Sequence, residues 1–202
     1  MKKLGLALAM TFSVFAAPVL AQTAAAGAGS ATSVQAGLYK VDPNHTQVIW
    51  SVDHLGFSRL YGMVGQMSGT LQIDPARPSA AVLQVEIPMS GLTVTSPAFG
   101  QHLRTPDLFD AAKFPTARFV SRAVAVRGQE ATITGDLTLH GVTRPVVLNA
   151  RFYGTGANPM SKAQTVGFSA KAQLKRSDFG LAFAVPAVSD VVDLEITAAF
   201  EK

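Results

Sequence analysis

The 202-residue chain contains no cysteine. Disulfides, thiolate metal ligands and thiol nucleophiles are therefore excluded, and stability has to come from a packed core and backbone ladders. Charge is sparse as well, with 17 Lys and Arg against 13 Asp and Glu. Lys40, Arg59, Arg77, Arg104, Arg118, Arg122, Arg127, Arg144, Arg151 and Lys171 are dispersed, and beyond them only Lys175-Arg176 form an adjacent pair in the body of the chain. Without a basic stripe, no nucleic-acid partner is expected. Catalytic signatures are missing too: there is no G-x-S-x-G elbow and no Gly-rich phosphate loop after a strand. The four histidines, His45, His54, His102 and His140, show neither His-x-His nor HExxH spacing. No metal site, no cofactor and no catalytic residue is expected.

Long apolar runs are confined to one end. Met1, Lys2 and Lys3 precede an uncharged run from Leu4 to Leu20, and Val19-Leu20-Ala21 offers the small residues that a signal peptidase reads. Residues 1–21 are expected to be a signal peptide that exports the protein to the periplasm or beyond, since no second stretch of about 18 apolar residues follows. Loss of Lys2 and Lys3 with it leaves 15 basic against 13 acidic groups. The next stretch, "QTAAAGAGSATSVQAG" at 22–37, is small, uncharged and aperiodic, and is expected to be a flexible leader. Residues 38–202 then make one domain of about 165 residues, large enough for a real core.

The dominant period of that domain is two. Val48, Trp50, Val52 and His54 share one face, while Gln47, Ser51 and Asp53 take the other. The same alternation recurs around Leu71–Ile73, Leu83–Ile87, "TARFVSRAVAV", Ala131–Leu139, Val146–Tyr153, Val166–Leu174 and Val192–Phe200, which makes about eight strands with one wet face each. Asp74-Pro75, Arg127-Gly128-Gln129, His140-Gly141-Val142 and Gly154–Pro159 read as turns. The one break is "SPAFGQHLRTPDLFDAAKFP", where Ser96 is placed to cap and Pro97 to open a short helix. An antiparallel set of this size closes either as a sandwich or as a barrel. Small inward residues (Gly135, Ala150, Ala170, Ala172, Ala198) among Phe119, Phe168 and Phe200 suit a barrel with room inside, although alternating sizes also pack a solid core.

Four ordered blocks carry a resemblance: "YKVDPNHTQVIWSVDHLGF" (39–57), "LRTPDLFDAAKFPTARFVS" (103–121), "GDLTLHGVTRPV" (135–146) and "LKRSDFGL" (174–181). They resemble the YceI-like family, exported lipocalin-like polyisoprenoid-binding proteins, with Tyr39, Asp42, His45, Trp50 and His54 in register with its opening motif. The likeness spans nearly all of residues 38–201. It implies an all-β fold: an extended antiparallel eight-stranded lipocalin-like barrel with one or two short helices, whose pore holds a long isoprenoid. Trp50 stands where the family usually has Phe, and Gln66-Met67 follow Gly65 where it tends to have an aromatic.

Alternation then names the wall of that pore: Val48, Trp50, Val52, His54, Leu71, Ile73, Phe119, Leu137, Leu148, Phe168 and Ile196; Phe109 and Phe179, outside the alternating strands, are expected to line one end. For His54 two readings stand, a hydrogen bond that steadies the barrel mouth and contact with a ligand head group. His45 is expected to cap a turn, His140 to be a solvated turn residue, and His102 faces either way on its helix. Arg118 should point outward. Arg176 and Asp178 read as a surface ion pair or as a phosphate contact.

The expected partner is a long-chain isoprenoid or similar amphiphilic lipid, such as a polyprenyl phosphate or an isoprenoid quinone. Transient membrane contact and a homodimer are both compatible with the sequence. A tail of about 40 carbons at about 0.8 kcal/mol per methylene would nominally exceed the ceiling of noncovalent affinity. The free lipid, however, already lies dry in a bilayer, so selectivity must come from pore dimensions and head-group contacts. Rival readings are a binder of fatty acid or fatty amide and an enzyme acting on such a lipid.

Overall fold

A computed structural model describes residue 25 and residues 27–202. The expected signal segment, 1–21, lies outside the described residues. Eleven strands form one sheet: β1 (Gly37–Val41), β2 (Gln47–His54), β3 (Ser58–Val64), β4 (Ser68–Ile73), β5 (Val82–Pro88), β6 (Leu92–Thr93), β7 (Thr116–Arg127), β8 (Glu130–Leu139), β9 (Val142–Ala157), β10 (Gln164–Lys175) and β11 (Val191–Glu201). Among the described residues one α-helix, α1 (Pro97–Leu103), interrupts them, capped as the sequence predicts by Ser96, whose Oγ accepts from Phe99 N at 3.3 Å.

The sheet is closed. The order β1-β4-β5-β7-β8-β9-β10-β11 returns on itself through β11–β1 pairing, while β2, β3 and β6 continue the ring from the same edge of β11 that β1 occupies. β1 and β2 run end to end along β11, β4 and β3 run along them, and β5 and β6 follow. Three strand paths are thus broken once each, so the eleven segments make an eight-stranded antiparallel up-and-down barrel. The breaks at 65–67 and 89–91 lie side by side: Gly65 N donates to Gly91 O at 3.1 Å. A Cβ on Gly91 would sit 2.2 Å from Gly65 O, so the two chains meet at a separation only glycine permits.

The barrel is filled unevenly. At one end Val34, Tyr39, Val41, Met67, Leu71, Val166 and Phe200 are buried together, with Ile73, Phe152 and Phe168 packed around them. Phe168 stands edge-on to both Phe152 and Phe200, at ring separations of 5.9 and 6.2 Å. A second cluster of Phe119, Leu137, Val146, Ala172, Phe179 and Leu181 lies toward the other end.

Three local expectations change. β9 runs through Gly154 to Ala157 because these residues stay paired with β10, Ala157 opposite Gln164, and the segment before the barrel docks on them: Gly29 N donates to Thr155 O, and a side chain on Gly154 would strike the Gly27 carbonyl. The later part of the expected leader is therefore held, with Val34 buried in the core and Tyr39 Oη donating to Gln35 O at 2.8 Å. β1 and β3 are strands that alternation leaves unread, being short and rich in charged or glycine positions.

Candidate ligand-binding cavity

Inside the barrel lies a cavity of about 620 Å³, within the range of about 300–1,000 Å³ usual for small-molecule sites. Its wall is apolar almost throughout. β11 runs its full depth, presenting Val192, Leu194, Ile196, Ala198 and Phe200 in turn. Eight residue-to-residue steps of about 3.3 Å each, tilted as barrel strands are, give a depth of about 20 Å. At the Phe200 end the buried aromatic cluster closes the barrel. The opposite end opens among three elements: the β2–β3 turn, helix α1 with the loop after it, and the 181–188 loop. Leu55 and Phe183, each about half exposed, are both wall and rim.

Of the residues that alternation names, Val48, Trp50, Val52, His54, Phe119, Leu137, Leu148 and Ile196 stand on this wall, and Phe109, expected at one end, joins them. Leu71, Ile73 and Phe168 do not. They point inward as alternation demands but pack with Phe200 and Met67 in the plug. Phe179 is a further correction: it sits in a single 3-10 turn, Arg176–Phe179, which buries it behind the wall against Val146 and Leu181.

Large parts of the wall come from residues without alternation. Met89, Leu92, Phe99, Leu103, Leu108 and Val188 reach it from a break, the two-residue strand β6, the helix and loops. Met67 also lies on it, where the resemblance marks a departure from the family pattern. The other departure, Trp50, covers Gly62 on the adjacent strand, and its Nε1 is buried without a hydrogen-bond partner.

The polar side chains on the wall are few: Thr46, His54, His102 and Arg176. Thr46 Oγ1 is spent on the β11 backbone, donating to Ala199 O and accepting from Ala199 N, both at 3.1 Å. His102 meets the Phe183 ring edge-on at 5.6 Å, and the backbone of His54 bridges to Val188. Arg176 overturns the surface ion pair with Asp178. It is 8% exposed and points into the barrel. Its Nε donates to Ser189 O, Nη1 to Leu181 O and Phe183 O, and Nη2 to Val188 O, at 2.6–2.9 Å. Burial pulls the guanidinium below its ordinary value, with Asp190 acting in the opposite sense. It remains a cation, since arginine is not deprotonated in proteins.

The other predicted polar residues divide. His45 caps the Asp42 turn, its Nδ1 2.5 Å from Asp42 Oδ2, and Arg118 faces out to pair with Glu86 at 2.9 Å. His140 is not simply solvated: it is half-buried beneath Phe114, ring centres 4.6 Å apart, with Nδ1 3.2 Å from Phe179 O.

An antiparallel barrel of eight strands, plugged at one end and enclosing a dry cavity, defines a lipocalin-like class of protein. Residues 39–200 match the family model described as the YceI-like domain, and the chain belongs to that family. It is 38% identical over 170 residues to "Protein YceI" of Escherichia coli O157:H7, covering 83% of this chain and 88% of that protein. A UPF0312 protein of Pseudomonas fluorescens is 37% identical over 171 residues, with the same coverage. Among solved structures, the Campylobacter jejuni YceI protein aligns with a TM-score of 0.64 at 27% identity, over 74% of this chain and 89% of that one. Burkholderia cenocepacia BcnA (TM-score 0.71, 24% identity, 79% and 98% covered) and a polyisoprenoid binding domain from Saccharophagus degradans (0.62, 15%, 81% and 97%) share the fold.

Proposed function

We propose that the protein is an exported carrier that holds one long-chain lipid, an isoprenoid such as a polyprenyl phosphate or quinone, with its tail in the barrel. The observation that carries this reading is the blind, apolar cavity itself. A space lined by Val, Leu, Ile and Phe and closed at depth suits a hydrocarbon chain, and the gathering of His54, His102 and Arg176 at the mouth suits a head group left near the opening. The likeness in fold to a domain named for polyisoprenoid binding agrees with an isoprenoid cargo. The charged amino-terminal start and apolar run support export to the periplasm, where a lipid moving between bilayers needs a dry container. Loading would involve transient contact with a membrane at the open rim. Binding is favoured over catalysis because, among the described residues, the wall pairs no nucleophile with a base. The test is organic extraction of protein purified from its own host, with mass spectrometry of the extract. One isoprenoid lipid per chain supports the proposal; a fatty acid or amide in its place assigns the cavity to that ligand, and the absence of any lipid from freshly isolated protein overturns it.

A further inference from the structure

The ionisable side chains on the cavity wall, among the described residues, are His54, His102 and Arg176. All three are bases, and no carboxylate shares the wall with them. They are also tied to one element, the 181–189 loop: Arg176 through four of its carbonyls, His102 through the Phe183 ring and His54 through the bridge to Val188. The carboxylate that acts on Arg176 is that of Asp190, which is engaged elsewhere, accepting from Ser177 N at 2.9 Å and from Ser177 Oγ at 2.7 Å. Carbonyl dipoles soften the charge of Arg176 but do not cancel it. Its five N–H groups have four bonds among them, so one Nη2 hydrogen is unspent.

A cation held in a low-dielectric wall with no opposing carboxylate favours negative charge in the adjoining space. We infer that the cavity selects amphiphiles with an anionic head, a phosphate or a carboxylate, seated at the mouth against Arg176, His54 and His102, over the same tails bearing a neutral or cationic head. This inference rests on the carrier reading above and narrows it to a class of head group.

The experiment uses delipidated protein at neutral pH and follows the fluorescence of Trp50, the single tryptophan, which stands on the cavity wall. Geranylgeranyl monophosphate, geranylgeraniol and geranylgeranylamine are titrated as one matched set, and oleate, oleamide and oleylamine as a second, all below their aggregation limits. In each set that binds, the anion should be held at least tenfold tighter than the amine, with the neutral head between them. Arg176→Lys, which keeps the charge, should preserve that order, and His102→Gln should narrow the anion-to-amine ratio by about threefold. An amine bound as tightly as the anion, or an amide as tightly as the acid, overturns the inference while leaving the carrier intact. Failure of every tail to bind, whatever its head, overturns the carrier reading itself.

Discussion

The indole of Trp50 occupies the space that a side chain on Gly62 would need: a Cβ at position 62 would fall 2.1 Å from Cζ2 and 2.7 Å from Nε1. The two residues are directly paired between β2 and β3 and share the inner face. Phe119 on β7 likewise covers Gly135, a diagonal neighbour on β8 that pairs with Ser121, with a separation of 2.4 Å from the same construction. An aromatic laid over a neighbouring glycine keeps its bulk against the wall and leaves the middle of the barrel free.

Gly62→Ala should therefore push the indole into the cavity. The overpacking costs about 1–3 kcal/mol, and the stoichiometry or length of bound lipid should fall. Thermal denaturation together with native mass spectrometry reads both, and an alanine variant with unchanged stability and load would refute the arrangement.

Trp50→Phe gives the complementary case. It removes a buried N–H without a partner, a group that costs about 1–3 kcal/mol when unsatisfied, and loses packing volume of comparable worth. The expected result is stability within about 1 kcal/mol of the parent and a roomier cavity. A large loss in urea denaturation would mean that the indole N–H finds an acceptor.

Arg176→Met should release the 181–189 loop. Several buried carbonyls lose their donor at once, a cost of about 2–4 kcal/mol from unsatisfied acceptors alone. Hydrogen exchange should quicken at the amides of Leu55 and Val188, which bond within or onto this loop, before it quickens in β8 or β9. Uniform acceleration across the barrel would argue against a local latch.

The Asp42–His45 pair predicts a window of pH. The hydrogen bond to Asp42, then its charge, raise the His45 pKa. Burial works to raise Asp42, but its bonds from His45 and Asn44 outweigh this, and its pKa is lowered. The His45 contribution is complete below its unfolded value, about 6.5, and is lost as pH rises through the higher folded one. The Asp42 contribution is complete above about 3.9 and is lost as pH falls through the lower folded one. Stability of the parent relative to His45→Ala should thus be greatest between about pH 4 and 6.5 and decline above it. A difference that grew toward pH 9 would contradict the pairing.

Alternation reveals which way a strand residue points, and here it set Val48, Trp50, Val52 and His54 correctly toward the interior. It carries no information on depth, which is why Leu71, Ile73 and Phe168 look equivalent to Ile196 in the sequence yet sit in the plug. The rim was least visible. Phe183 and Val188 lie in an aperiodic loop, and their placement depends on Arg176, whose adjacent charges suggest a surface pair until the four carbonyls around it are seen. For His102 the sequence left the direction open, and contact with Phe183 fixes it.

The aromatic stopper formed by Phe152, Phe168 and Phe200 turns the barrel into a sac with a single doorway. Nothing can thread through such a vessel. For the carrier proposed above, cargo would back in tail foremost and depart by the same route, so a newcomer would wait until its predecessor had gone, and whatever received the molecule would always meet the same end of it first.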